Sequence, residues 1–448
     1  MQKPRIAFLP IARTTFDVEF AKEQSDQARQ HLSQIPITLD GQSELITDLQ
    51  SAQRIAKSIS SNPPDLLLVF QATFADSTMI TALIEEIDAP LLLWAVPEEH
   101  TGGRLRLNSF CGINLAAHAL TRAGNQYETI FAPPDDPQAP EKILTLALAG
   151  RARNALRNAR LGRVGENPDG FETCLLDPDL IRQVFGLDVV QFDLAKDIFP
   201  LAQQIETSRI DTIQTQLGGR VAGLDELDPA ATRGTLSVYA ALQQIAAQKE
   251  INGFAVRCWP EFFTEMGCAA CGAMSMMSDE MIPCSCEADV NGTITQMMLQ
   301  SISGQPAFGT DIVSIDDERD AVVVWHCGLA PLSMADTQEM PGVTIHSNRK
   351  LPLLFEFTLK PGPVTVARLS ESSGEYRLAI GRGEIVRGPK SFSGTSGLLQ
   401  FDRPAREILD VILSEGLEHH ISITYGDCAD VLIALAKLLN IPVLQLIN

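Results

Sequence analysis

The sequence is poor in basic residues and has no long hydrophobic run, and both absences narrow its function. It carries 35 lysines and arginines against 56 acids, which gives a formal net charge of -21. Because nucleic-acid binding needs a basic face, we predict no such partner. No stretch of about 18 apolar residues occurs, so we predict no membrane span. The N-terminal stretch "MQKPRIAFLPIARTTFD" breaks on proline and arginine, so we expect no signal peptide. The nine cysteines then predict reduced thiols in the cytoplasm.

The order of apolar runs predicts an α/β protein of three domains. In the first third, runs such as "DLLLVFQ" and "PLLLWAV" alternate with helical patterns, which indicates a doubly wound parallel sheet. The same alternation resumes after residue 155, and after about residue 305 the pattern becomes strands joined by turns. We therefore predict two Rossmann-like domains, at 1–155 and 156–304, followed by a mainly β C-terminal domain, barrel-like or sandwich-like, at 305–448.

Acidic side chains follow two strands predicted in the central domain. Glu261 comes after "GFAVRCW", and the run "MIPCSCEADV" (281–290), interpreted as the next strand, carries Glu287 and Asp289. Residues two apart in a strand share a face, so these two carboxylates should point into one space, where a cation, a proton or a ligand would relieve their repulsion. Ligands bind beyond the carboxyl ends of parallel strands, so Glu261 should join them. Carboxylates with a histidine from the C-terminal "EHHISITYGD" suit Mg²⁺ or Mn²⁺.

An ordered set of motifs resembles the L-fucose isomerase and L-arabinose isomerase superfamily, and within it the shorter fucose-isomerase-like branch. The motifs are "RCWPEF", "GCAACGAMSMM", "CEADVNGTITQMMLQSISGQP", "WHCGLAP" and "HHISITYGD", in the family's order across roughly residues 250 to 448; "SFCGINLAAHAL" (109–120) is similar too. The resemblance implies an aldose–ketose isomerase that uses Mn²⁺, or another divalent ion such as Mg²⁺ or Co²⁺, and works through an enediol intermediate.

The resemblance also implies the residues of the site. Glu261, Glu287, Asp289 and His420 match the metal ligands, and the three acids are the candidate catalytic residues, with Glu261 or Glu287 as the proton carrier. The branches of the family differ over whether Glu287 or Asp289 is the ligand, and we slightly favour Asp289. His419 is the alternative to His420. The second mid-chain histidine of the arabinose type has no counterpart near residue 315, which favours a site with three protein ligands.

The substrate implied by the resemblance is an unphosphorylated sugar that is fucose-, arabinose- or sulfoquinovose-like. Arg13 and His326 are the candidate substrate-binding residues, and an acidic sugar would need a cationic pocket that Arg13 or Arg104 can supply. The family also implies a homo-oligomer, with a hexamer as one candidate size. Two rival interpretations stay open: a non-catalytic sugar-binding or regulatory protein on the same scaffold, and a zinc protein with thiolates from "CAAC" (268–271) and "CSC" (284–286).

Overall fold

A computed structural model describes residues 3–446, which divide into two compact units: one ends at Asn154 and the other begins at Ala155. The elements of the first unit are β1 (Arg5–Ile11), α1 (Val18–Leu32), β2 (Thr38–Gly41), α2 (Leu49–Ser60), β3 (Leu66–Gln71), α3 (Thr78–Glu86), β4 (Leu91–Ala95), α4 (Ser109–Arg122), β5 (Glu128–Phe131) and α5 (Ala139–Arg157), the last of which runs on into the second unit.

The first unit is built on a five-stranded parallel sheet. Its strand order is β2-β1-β3-β4-β5, the order of doubly wound folds. Strands β3 and β4 are buried along their whole length, as expected for central strands covered on both faces. Helix α1 begins after Asp17, whose side chain accepts a hydrogen bond from the Phe20 backbone N–H and caps the helix. The predicted doubly wound sheet is confirmed.

The second unit contains a parallel sheet and a β-barrel. Its strands and helices are β6 (Arg160–Val164), α6 (Pro178–Phe185), β7 (Asp188–Phe192), α7 (Phe199–Gln204), α8 (Thr207–Gly218), α9 (Pro229–Lys249), β8 (Gly253–Val256), α10 (Glu261–Thr264), α11 (Cys271–Asp279), β9 (Cys284–Ser285), α12 (Val290–Ser303), β10 (Ala307–Asp316), β11 (Ala321–His326), β12 (Gly342–Thr344), β13 (Leu354–Thr358), β14 (Gly362–Ser370), β15 (Arg377–Val386), β16 (Thr395–Phe401), α13 (Ala405–Ser414), β17 (His420–Tyr425), α14 (Ala429–Leu438) and β18 (Val443–Gln445). Short 3-10 helices lie at Glu172–Cys174, Leu224–Glu226, Cys286–Ala288 and Leu332–Met334, and a π-helical turn lies at Leu194–Ile198.

The parallel sheet of the second unit has the strand order β7-β6-β8-β9. Strands β8 and β9 are therefore neighbours, and the segments that follow them lie at the same edge of the sheet. The barrel is antiparallel: β10, β11, β16, β15, β14 and β17 each pair with the next, and β17 pairs again with β10. Closure leaves these six strands without a free edge between them. The predicted second Rossmann-like sheet and mainly β C-terminal region are confirmed.

One predicted strand is much shorter than the sequence suggested. Of the run 281–290, only Cys284 and Ser285 form a strand. Glu287 and Ala288 both adopt left-handed backbone conformations, with φ of 58° and 55°. Two such residues in succession end the extended chain, so the alternation on which the shared face was predicted does not apply. Glu287 and Asp289 therefore lie on a turn that leads into α12, and not on one face of a strand.

The structure also bears on the state of the cysteines and on membrane-spanning helices. All nine cysteines are free thiols. Within residues 3–446, no helix combines the length and apolar character needed to cross a membrane.

Candidate active site

The imidazole of His420 is the centre of a cluster of acidic side chains in the second unit. His420 begins β17 and is buried. Its Nδ1 lies 3.0 Å from Asp289 Oδ2. Its Nε2 faces the opposite way and lies 3.8 Å from Glu287 Oε2 and 3.7 Å from Asp311 Oδ1. Burial alone would lower the pKa of His420, but the Asp289 hydrogen bond, with Cys174 and Asp311, raises it well above the usual histidine value.

Both carboxylate oxygens of Asp289 already accept hydrogen bonds from groups of the protein. It caps α12, with Oδ1 accepting a hydrogen bond of 2.8 Å from the Gly292 N–H. A side chain at position 292 would meet Asp289 Oδ2, so glycine permits this close approach. Arg368, buried on β14, donates to both carboxylate oxygens at 2.6 and 3.2 Å. Burial would raise the pKa of Asp289, but Arg368 and then His420 hold it well below its usual range. Asp289 therefore stays charged and fixes the orientation of His420.

Glu287 lies on the left-handed turn and points toward both histidines. Its Oε2 lies 3.1 Å from His419 Nε2, and its Oε1 accepts a hydrogen bond of 3.1 Å from Trp259 Nε1. His419 Nδ1 in turn lies 2.8 Å from the Thr173 hydroxyl. Burial opposes ionisation, but the His419 hydrogen bond and the charge of His420 keep the pKa of Glu287 below the usual glutamate value. Glu287 thus offers a charged oxygen to the space between the two imidazoles.

Asp311 is the second acid at the Nε2 side of His420. It lies directly opposite His420 in the β10–β17 pair, which places the two side chains on the same face of the barrel wall. Among residues 3–446, no group makes a hydrogen bond to its buried Oδ1. Burial raises the pKa of Asp311 above the usual aspartate value, although His420 and His419 oppose this shift. A buried carboxylate oxygen without a hydrogen-bond partner indicates a place for a ligand or a proton.

His326, at the end of β11, is buried beside this cluster. Its ring stacks on that of His420 with centroids 6.0 Å apart, and its Nδ1 accepts a hydrogen bond from the Cys327 N–H. Burial, followed by the charges of His420 and His419, lowers the pKa of His326 to about 3, so its ring is neutral. The structure therefore brings together four predicted site residues, Glu287, Asp289, His326 and His420, and the alternative His419.

Two other predicted site residues lie outside this cluster. Glu261 begins α10 beside the end of β8, but Arg257 Nε donates to both of its carboxylate oxygens, at 2.9 and 3.0 Å. Arg13 belongs to the first unit, where its backbone N–H donates to the Thr73 hydroxyl and its half-exposed guanidinium lies 4.0 Å from Asp76 Oδ2. Arg104 lies in the same unit on an exposed loop.

Two groups of side chains have the spacing of metal ligands, and they share His420. One consists of Glu287, His419 and His420, and the other of Cys174, Asp289 and His420. The first presents a carboxylate oxygen and two imidazole nitrogens, a donor set that fits divalent transition ions such as Mn²⁺. In the second, the guanidinium of Arg368 already occupies Asp289, and burial raises the pKa of the Cys174 thiol. Charge repulsion and an uncharged thiol both disfavour a cation there, so the first group fits a metal better.

Sequence reasoning did not identify Arg368, Asp311 or Trp259 as parts of the site. A signal for Arg368 was present, because it is one charged residue within the apolar strand "VTVARLS". A charged residue in a buried strand requires a partner. No comparable signal existed for Asp311, since only the register of β10 against β17 places it opposite His420.

The fold and the site define a class: an α/β protein with a C-terminal barrel whose acids and imidazoles can hold a divalent ion and move a proton. Comparison with known proteins gives the family. Residues 7–156 match the fucose/sulfoquinovose isomerase N-terminal domain, and residues 355–446 match the L-fucose isomerase C-terminal domain. The chain is 30% identical to a sulfoquinovose isomerase of Priestia aryabhattai, over 98% of this chain and 99% of the relative. It is 31% identical to one of Alkalicoccus urumqiensis, with the same coverage.

The chain belongs to the fucose/sulfoquinovose isomerase family. The resemblance predicted from the motifs is thereby confirmed, and so is the enzyme class: the chain is an aldose–ketose isomerase that acts on a sugar.

Proposed function

We propose that this enzyme interconverts sulfoquinovose, a hexose with a sulfonate at C6, and the corresponding 2-ketose. Relatives that align over nearly the full length of the chain carry the name sulfoquinovose isomerase, which supports this substrate. The observation that carries the chemistry is the convergence of two carboxylates on one nitrogen: Glu287 Oε2 and Asp311 Oδ1 lie 3.8 and 3.7 Å from His420 Nε2.

The proposal includes a divalent ion, Mn²⁺ or a similar ion such as Mg²⁺ or Co²⁺, held by Glu287, His419 and His420. Glu287 would supply its Oε2 and each histidine its Nε2. Thr173 and Asp289 engage the Nδ1 atoms of His419 and His420, so the Nε2 atoms are the ring nitrogens that would bind the ion. Such an ion would supply a Lewis acid that polarises the carbonyl of the open-chain sugar.

In this proposal Asp311 carries the proton between C2 and C1. Its carboxylate takes the proton from C2 of the open-chain aldose, giving an enediol, and returns it to C1, while the C2 hydroxyl proton passes to the C1 oxygen. Its raised pKa suits a group that must both accept and release a proton. The resemblance implied Glu261 or Glu287 for this role, but both oxygens of Glu261 are bound to Arg257. Glu287 has each oxygen hydrogen-bonded, so Asp311 is better placed for this role.

The neighbouring groups would hold these residues in place. Asp289, fixed by Arg368, orients His420, and Trp259 orients Glu287. Neutral His326 would line the sugar pocket beside His420. The proposal keeps the cytoplasmic location and the homo-oligomer that the resemblance implies, with Arg13 as a contact that a neighbouring subunit would supply.

The test is proton NMR in D₂O with the Mn²⁺-loaded enzyme and a panel of sulfoquinovose, fucose and arabinose. We expect deuterium at C2 of sulfoquinovose together with formation of its ketose. Asp311→Asn should abolish both, because the amide cannot accept the proton. The matched control is Asp316→Asn on the same strand, where Asp316 pairs with Arg319 at the barrel surface and should leave the exchange rate unchanged.

Each alternative gives a different result. Exchange with fucose or arabinose and none with sulfoquinovose would replace the substrate. Full activity of Asp311→Asn, together with loss of activity in Glu261→Gln, would assign the proton transfer to Glu261. No exchange with any sugar, despite bound metal and sugar, would revive the non-catalytic binding protein.

A further inference from the structure

Arg349 lies near the proposed active site, where its guanidinium packs on two aromatic rings. Its guanidinium carbon lies 4.6 Å from the centroid of the Trp259 ring and 5.4 Å from that of Phe263. Its Nη1 lies 3.3 Å from His346 Nε2. Within residues 3–446, no Asp or Glu forms an ion pair with it. Two aromatic rings thus position the charge, and no carboxylate in the described part of the chain forms an ion pair with it.

A closed loop holds Arg349 in this position. The His346 N–H donates to the Leu351 carbonyl, and the Lys350 N–H donates back to the His346 carbonyl. His346 Nδ1 accepts from the Arg349 N–H at 3.3 Å. Lys350 adopts a left-handed conformation with φ of 60°, which a lysine seldom takes. Strained backbone of this kind is retained where the surrounding contacts fix it, commonly at binding sites.

The charge of the loop is not balanced from within. Burial, and then the charges of Arg349 and Lys350, lower the pKa of His346 to about 4, so the histidine stays neutral and adds no further positive charge to the loop. Other arginines near the site differ, because Arg257 is bound by Glu261 and Arg368 by Asp289. The chain has a net charge of -21, so acidic partners are abundant. Arg349 nevertheless forms no ion pair with any Asp or Glu of residues 3–446, which leaves its charge available to an anionic ligand.

Trp259 connects this loop to the proposed metal site. One part of its indole supports Arg349, and its Nε1 donates to Glu287 Oε1 at 3.1 Å. Phe171 packs edge-on against Trp259 and also against His419. One aromatic side chain, Trp259, therefore contacts both the guanidinium of Arg349 and the carboxylate proposed to bind the ion.

We propose that Arg349, assisted by Lys350, binds the anionic group at the far end of the substrate while the reacting C1–C2 end lies at Glu287 and Asp311. This inference rests on the proposed function for the reacting end. The chemistry recognised is a tetrahedral oxyanion on a sugar, which a sulfonate or a phosphate provides, and the planar guanidinium can donate two parallel hydrogen bonds to it.

The experiment compares Arg349→Met, Arg349→Lys and wild type with sulfoquinovose, glucose 6-phosphate and the neutral sugar quinovose. We expect the ratio of kcat/KM for sulfoquinovose over quinovose to fall by about 10- to 100-fold in Arg349→Met, mainly through KM, since a hydrogen bond to a charged group is lost. Arg349→Lys should recover part of this ratio. Arg406→Met, at an exposed arginine paired with Asp317, is the matched control and should leave the ratio unchanged.

Binding of the sulfonated alditol, which cannot be isomerised, separates this inference from the proposed function. Calorimetry should give weaker binding in Arg349→Met by a similar factor, and little change for the neutral alditol. Arg349-dependent binding without turnover in wild type would support the anion site while contradicting the proposed isomerisation. Wild-type turnover with an unchanged sugar ratio and unchanged alditol binding in Arg349→Met would overturn the anion site alone. A preference for glucose 6-phosphate that Arg349→Met removes would assign the site to phosphate.

Discussion

Replacing Arg368 with methionine should lower the free energy of unfolding of this enzyme by about 3–4 kcal/mol at pH 7. The Arg368 and Asp289 side chains are each 1% exposed, and the guanidinium donates two hydrogen bonds to the carboxylate. Removing one partner of such a pair leaves a buried charge uncompensated, at a cost of about 3–5 kcal/mol. Glu418, whose Oε2 lies 3.4 Å from Arg368 Nε, loses the same partner.

The pH dependence follows from the pKa of Asp289, which is held well below its usual range although burial opposes this. A depressed folded pKa stabilises above the unfolded value of about 3.9, and this stabilisation is lost as pH falls through the folded pKa. Without Arg368, Asp289 can take up a proton instead. Protonating Asp289 in the folded state costs about 4 kcal/mol at pH 7 and about 1.5 kcal/mol at pH 5, because each pH unit above the unfolded pKa costs about 1.36 kcal/mol. The destabilisation should therefore shrink on acidification.

Urea unfolding at both pH values, followed by circular dichroism, measures this effect. The matched control is Arg382→Met, because Arg382 lies on a barrel strand and binds Asp427 in a more exposed pair, which should contribute less than about 1 kcal/mol. Asp289→Asn combined with Arg368→Met should be more stable than Arg368→Met alone, since the buried charge is gone. Equal losses in both arginine variants, or a loss that does not change between the two pH values, would refute the reasoning.

Metal content should distinguish the two candidate ligand groups: Glu287→Gln should weaken Mn²⁺ binding by about 100-fold or more, whereas Cys174→Ser should not, as measured by metal analysis after dialysis. The reverse result would move the ion to the Cys174 group. Mn²⁺ affinity should also rise with pH, by about tenfold per unit between about pH 6 and 8, because the ion must displace a proton from His420, whose pKa is raised. An affinity independent of pH in a titration calorimeter would exclude His420 as a ligand.

Much of the fold could be predicted from the sequence because local patterns decide it. Continuous apolar runs give the buried strands β3 and β4, and Asp17 gives the start of α1. The strand predicted for the run ending in "CEADV" was wrong over most of its length. Its apolar residues are typical of a strand, but Glu287 and Ala288 take left-handed conformations. Glycine or asparagine usually marks such a turn, and neither is present at these two positions.

The residue types of the candidate site came from the sequence, whereas their roles depend on tertiary contacts. The acids, the histidines and their family order could be recognised along the chain. Which acid faces which ring nitrogen of His420 was settled by barrel closure, since the register of β10 against β17 brings in Asp311 and β14 brings Arg368 onto Asp289. These contacts join residues 79 or more positions apart. No local pattern encodes them, because they arise from the burial of charges that need partners in three dimensions.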